Sequence, residues 1–351
     1  MLSKPNLRFC LRVTVSALSA FTLAHFLTIP LNGLWAVLTA VVVSQMSVGG
    51  SLRATTEYFI GTIGGAIYGG AVAAIVPHSA ALAVGGVLAL AIAPLAYAAA
   101  INPSFRVAPF TAVLVLMISS QLGEGPIESA FYRSLEVAIG GAVAIAVSAL
   151  VFPSRAHALG LEAAARVLKQ LADALPQLFA DVSKAVDPLK NQRIQDEIGK
   201  AVDTLEIMAA DAKREHLINF MAEPDPAVLA RTLLRLRHDV VIIGRACAEP
   251  LPAIIAGRVG ALLTRIGEAA GDFLRASADA LKLHGHPPAV GAVETVVLTY
   301  EAEISAIRAA RLMQPLASGE LERIFALGFA LQQFQHDFAD LARCVQEWAK
   351  R

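Results

Sequence analysis

Two arginine–glutamate pairs stand in a region of the chain that is otherwise almost free of charge. Arg53 and Glu57 are four residues apart, and Arg133 and Glu136 three apart, so each pair falls on one helix face. A guanidinium in such a place can hold a carboxylate through charge-assisted, often bidentate hydrogen bonds. A glutamate beside it can carry a proton, or neutralise the arginine when no anion is bound. Thr39, Gln45, Thr111 and Gln121 supply hydroxyls and amides in the same region. Each group also has a plainer use. The charged pairs can be interfacial anchors whose side chains reach water, and a threonine inside a helix commonly bonds the carbonyl four residues back. Arg12 reads as an anchor of this kind. His25, near the other end of the same apolar run, is a candidate proton relay.

Covalent and metal chemistry have little to build on. There is no G-x-S-x-G or H-E-x-x-H, and the three cysteines (Cys10, Cys247, Cys344) show no C-x-x-C spacing. His284 and His286 have no third ligand nearby in sequence. Arg235, Arg237 and His238 form a basic helix face that water or acidic neighbours would satisfy. The expectation is no enzyme, no cofactor and no metal. With zero formal net charge and no basic patch, nucleic acid is not an expected partner.

The elements that carry the charged pairs are apolar. Residues 1–155 hold seven Lys or Arg, four Glu and no Asp, out of 29 basic and 29 acidic side chains in all 351 residues. The first portion is therefore lipid-soluble in character and the second water-soluble, which predicts domains at 1–154 and 155–351. Apolar runs fall near 9–29, 31–46, 57–76, 80–100, 107–121 and 131–152. They predict six crossings, the second and fifth short. The first run leads into further apolar segments, so it reads as a span and not as a cleaved leader. Pro94 inside the fourth predicts a kink.

Glycines mark the third run. In SLRATTEYFIGTIGGAIYGG, Gly61, Gly65 and Gly69 recur at four-residue steps, and no phosphate-loop spacing is present. Such rows let two helix backbones approach closely in lipid. Gly140 opens a similar row with Ala144 and Ser148.

The runs also repeat. LTAVVV (38–43) returns as FTAVLV (110–115), 72 positions on, and EYFIG (57–61) as EVAIG (136–140), 79 positions on. Each copy would contain three helices, an odd number, so the copies would be inverted relative to each other. Inverted repeats place a transport site at their interface. Lys4, Arg8, Arg12, Arg53, Arg106 and Arg155 cluster on one predicted side, with Arg133 as the exception. By the positive-inside rule both termini are cytoplasmic. Beyond Arg155 the pattern predicts amphipathic helices at 156–184, 190–221, 225–247, 251–284, 290–314 and 319–349, an antiparallel bundle in the cytosol.

LWAVLTAVVVSQ, R-x-x-x-E-Y-F-I-G-T-I-G-G-A and the echo RSLEVAIGGAVAIAVSALVFP resemble the fusaric acid resistance family, or aromatic acid exporters, and more distantly the plant aluminium-activated malate transporters. The resemblance covers about residues 7–153. It implies an inner-membrane exporter or channel for organic anions, typically aromatic carboxylates, with a cytosolic helical region. Longer relatives carry two six-helix sets; the single set here favours a homodimer. A periplasmic adaptor, proton-coupled export against passive conduction, and a non-transporting scaffold all stay open at this point. The candidate translocation residues are Arg53, Glu57, Arg133, Glu136, Thr39, Thr111 and Gln45, with Gly61, Gly65, Gly69 and Gly140 as helix-packing positions.

Overall fold

The computed structural model describes residues 4–29, 33–76, 81–122, 125–151, 156–185, 187–216 and 224–350. Among them the regular structure is entirely helical. The chain divides into two compact units, residues 1–156 and 157–351.

The N-terminal unit contains α1 (Lys4–Phe26), α2 (Leu34–Val43), α3 (Val48–Ile75), α4 (Ala81–Ile101), a 3-10 turn (Pro103–Phe105), α5 (Ala108–Leu122) and α6 (Pro126–Leu150). Of these, α1, α3, α4 and α6 are long and apolar enough to cross a membrane, while α2 and α5 are shorter. At 1.5 Å per residue α2 reaches only about 15 Å, half the hydrocarbon thickness. It starts at Gly33, whose positive φ of 68° lets the chain turn tightly against Ala24. It ends at Ser44, and the chain restarts as α3 after Ser47, whose Oγ accepts the Gly50 N–H at 2.9 Å. This cap starts α3 nine residues earlier than the apolar run predicts, so Arg53 lies inside the helix and not in a connection. The helix α4 runs through Pro94.

Packing in this unit follows two matching sets. The helices α1 and α2 pack together and against α6; α4 and α5 pack together and against α3. The central pair α3 and α6 is antiparallel: Ser51 Oγ lies 3.1 Å from Ser148 Oγ, Thr55 meets Gly141, and Tyr58 meets Arg133. Both sets use glycine to bring backbones close. A Cβ on Gly61 would come 2.7 Å from the Ser104 carbonyl, and one on Gly69 2.7 Å from Ala112 Cα. A Cβ on Gly65 would fall 2.9 Å from Thr111 Cβ, and one on Gly140 2.8 Å from Thr39 Cβ.

The C-terminal unit has all six predicted helices: α7 (Ala156–Phe179), α8 (Pro188–His216), α9 (Pro226–Ala246), α10 (Ala253–Leu283), α11 (Gly291–Ala309) and α12 (Ser318–Ala349). They bury one core in which Leu168, Leu171 and Leu175 of α7 join Leu233 of α9, Leu274 of α10 and Phe338 of α12. Local signals fix the ends. Asp225 accepts the Ala227 N–H at 2.9 Å ahead of Pro226, and Glu320 accepts the Ala317 N–H at 2.8 Å.

Candidate anion site in the membrane unit

Arg133 enters from the second turn of α6 and is 4% exposed. Its Nη2 donates to the Tyr58 hydroxyl at 3.1 Å. Its guanidinium carbon lies 5.0 Å from the centre of the Trp35 ring and 6.0 Å from that of Tyr58. Nε and Nη1 are buried without a hydrogen-bond partner among the described residues. Two aromatic faces stabilise a buried cation by roughly 0.5–2 kcal/mol each. Each unfilled charged N–H costs on the order of 1–3 kcal/mol, so the cage leaves a deficit that an anion would remove. Trp35 occupies the first turn of α2, which no side chain caps. The positive end of a helix dipole is thus added beside the guanidinium. Glu136 lies nearly one turn further along α6 and is also buried, at 3% exposure.

The two Arg/Glu pairs are therefore not equivalent. Arg53 and Glu57 are only half-buried, and α3 presents Tyr58 to Arg133, not Arg53. The antiparallel register sets this: positions aligned by sequence motif are offset by more than a turn where the helices touch.

The threonines depart from the common pattern. Thr14, Thr22 and Thr56, all exposed, bond the carbonyls of Cys10, Leu18 and Leu52 at 2.9, 2.8 and 2.9 Å. Thr39 and Thr111, fully buried, do not; their hydroxyls have no hydrogen-bond partner among the described residues, and neither do those of Thr55 and Thr62. The expectation of back-bonding at Thr39 and Thr111 is corrected. Packed against glycines of α6 and α3, these hydroxyls are left available to something else.

Gln45 contributes main chain more than side chain. Its carbonyl accepts from Arg12 Nη1 at 2.9 Å and its N–H donates to Ser51 Oγ at 2.9 Å. Gln121 lies outside the residues whose side chains are described. Arg12 is the clearest correction: it is no interfacial anchor but 1% exposed, and it also donates to the Met46 carbonyl at 3.0 Å. A cation thus satisfies carbonyls just past the negative end of α2. His25 is exposed and stacks on Phe21, centroids 6.3 Å apart, so it faces away from the site.

In the C-terminal unit, His286 Nδ1 lies 3.4 Å from Gln346 Oε1, and His284 caps α10 with φ 51°. No cluster of three or more potential metal-binding side chains occurs among the described residues. Arg235 pairs with Asp337 and Asp340, as its helix face predicts. Burial pushes the Cys247 thiol up to about 12, far from a nucleophilic thiolate.

Sequence reasoning missed Trp35, Tyr58 and the burial of Arg12. One of only two tryptophans, at the boundary of an apolar run, was the available signal for the first. No curated protein matches the chain. Residues 17–147, which span α1 to α6 and contain Trp35, Tyr58, Arg133 and Glu136, match the family model described as fusaric acid resistance protein-like. Over these residues, which lie on helices long enough to span a bilayer, the chain carries a fusaric acid resistance protein-like domain of a multi-pass membrane protein.

Proposed function

We propose that the membrane unit exports organic anions, aromatic carboxylates above all, and that Arg133 is the group that receives the carboxylate. One observation carries this reading: a buried guanidinium with Nε and Nη1 unpartnered, held between Trp35 and Tyr58 at the uncapped start of a half-length helix. A planar carboxylate accepts from a guanidinium in a fork, and an aromatic body attached to it finds ring faces to stack on. Thr39, Thr111 and the half-buried Arg53 and Glu57 supply further polar steps for the anion. Glu136, buried close to Arg133, is the group to carry a proton if export is proton-coupled.

The same reading takes the unit as two inverted three-helix repeats in the inner membrane, with both termini and the C-terminal bundle in the cytosol. It is supported by the matched sets α1–α2–α6 and α4–α5–α3, by the antiparallel α3 and α6, and by the paired contacts Gly65–Thr111 and Gly140–Thr39. A second copy completes the transporter as a homodimer, with a periplasmic adaptor as a possible further partner. The activity is transport without covalent chemistry.

Reconstitution in liposomes tests it. Purified protein should move an aromatic carboxylate faster than an aliphatic acid of similar size, without hydrolysing either. Arg133→Gln should cut flux about tenfold or more, the loss of one charge-assisted pair, and Arg133→Lys should restore it only in part because the ammonium lacks the fork. Arg53→Gln should cost less. Undiminished flux from an Arg133→Gln protein that elutes as a single species would overturn the assignment.

A further inference from the structure

Between α9 and α12 the C-terminal unit buries two carboxyl groups against each other. Asp239 of α9 is 4% exposed and Asp337 of α12 1%, and Arg235, one turn before Asp239 on the same face of α9, lies against Asp337. Asp239 Oδ2 and both Asp337 oxygens are buried and accept no hydrogen bond among the described residues, so a proton on one carboxyl would let it donate to the other. Arg235 Nε lies 3.0 Å from Asp337 Oδ1, and Arg235 Nη2 reaches on to Asp340 Oδ2 at 2.5 Å. Arg235 is 47% exposed, so its charge is shared with water and cannot neutralise two buried anions. Nothing in the anion site described above uses this pair.

We propose that Asp239 and Asp337 form a proton-operated latch, closing the α9–α12 junction when they share a proton and loosening it when both are ionised. This stands independently of the transport reading. Burial first, and then the charge of Asp337, push the Asp239 carboxyl up to about 7, with Arg235 opposing. Burial likewise raises that of Asp337. In the unfolded chain Asp239 titrates near 3.8. Between those values the folded junction retains a proton that the unfolded chain has lost. The latch's contribution is therefore full in acid and disappears as pH rises through about 7.

The surroundings leave few other titrating groups on the pair. From α12, Asp340 and the exposed His336 act on Asp337. The helix α8 presents the neutral Asn191 and Gln195 to α9 at Gly244, while Glu197 and Lys200 line a separate pocket with Arg166 of α7. Arg237 of α9 meets α8 at Gly199. On α10 and α11, Arg258 pairs with Glu303, Arg275 with Asp173 and Asp272, and Glu301 with Gln332. Asp340 is in turn held by Arg343.

Hydrogen exchange of the full-length protein in detergent, from about pH 5.5 to about pH 8.5, reads the latch across the expected titration. Amides of α9 and α12, corrected for intrinsic rates and referenced to α10, should exchange about tenfold faster at the alkaline end. Asp239→Asn, neutral at every pH and able to donate to Asp337, should keep them slow throughout. Asp337→Asn, which removes the charge acting on Asp239, should move the transition to lower pH. His336→Gln should leave it in place. A pH-independent wild type, or pH dependence that persists in Asp239→Asn, overturns the latch. Should Asp239→Asn not fold, an unmoved transition in Asp337→Asn overturns it equally.

Discussion

Where α3 meets α5, the contact is made by what the side chains lack: Gly61, Gly65 and Gly69 lie against the turn at Ser104 and the main chain of Ala108 to Ala112. Where α12 meets its neighbours, it is made by bulk. The Phe334 and Phe338 rings are 4.4 Å apart, and Phe273 of α10 lies 4.7 Å from Phe338. The solvent explains the contrast. Lipid tails are as apolar as leucine, so helices in a bilayer gain nothing by hiding large side chains and associate through close backbone packing and polar groups. In water the same association is driven by buried apolar area. Charged groups differ in what answers them. In the bundle arginines pair with carboxylates, Arg235 with Asp337 and Arg258 with Glu303, whereas the buried Arg133 of the N-terminal unit meets two ring faces and one tyrosine hydroxyl. Buried polar atoms without a hydrogen-bond partner among the described residues occur in both units, the hydroxyls of Thr39 and Thr111 in one and Gln195 and Ser277 in the other, and each is costly in a packed interior.

The largest expected effect separates the two packing modes. Gly65→Leu must displace main chain of α5 as well as Thr111, and overpacking of this kind costs about 3 kcal/mol or more when backbone must move. The variant should lose the monodisperse peak on size exclusion. Gly85→Leu on α4, where a Cβ meets nothing within 4 Å, should elute as wild type. Equal behaviour of the two would mean that the glycine rows do not make the close contacts.

In the bundle the corresponding break is a cavity. Phe338→Ala should cost about 3–5 kcal/mol. The two tryptophans let each unit be followed separately, since Trp35 sits in α2 and Trp348, 3% exposed, in α12. With Trp35→Phe as background, Phe338→Ala should lower the thermal midpoint reported by Trp348 fluorescence. The reverse background, Trp348→Phe, should show the Trp35 transition unmoved. A shift in both would show that the units do not unfold independently.

How much of this could be read in advance differs between the units for the same reason. Six amphipathic helices of the bundle were legible from spacing and from punctuation such as AEPDP and HGHPP, because each must show one apolar face to a core and one polar face to water. In the membrane unit hydropathy marks where a span lies but not which face looks inward. Thr39 and Thr22 look alike in sequence, yet one packs against Gly140 and the other is exposed on α1. Arg53 and Arg133 align by motif, yet only Arg133 is caged, because its partners Trp35 and Tyr58 come from other helices brought in by an antiparallel register. Arg12 reads as an anchor until the early end of α2 leaves main-chain carbonyls at its level.

The smallest expected effect is also the finest test of those unpartnered hydroxyls. Thr39 Oγ1 is buried without a partner, so Thr39→Val replaces an unsatisfied group with a methyl of similar shape. Stability should hold or rise by up to about 1 kcal/mol, since the desolvation cost of the hydroxyl disappears. Thr22→Val deletes a 2.8 Å bond to the Leu18 carbonyl on the exposed side of α1 and should change stability by only a few tenths of a kcal/mol. Flux should separate the pair in the opposite sense. If a translocating anion uses the Thr39 hydroxyl, the Thr39→Val protein is at least as stable as wild type and yet slower, by about tenfold for one lost hydrogen bond to a charged group, while Thr22→Val transports normally. A Thr39→Val protein that is less stable than Thr22→Val would show that the hydroxyl serves the fold, and the contrast between exposed and inward threonines would then carry no information about a site.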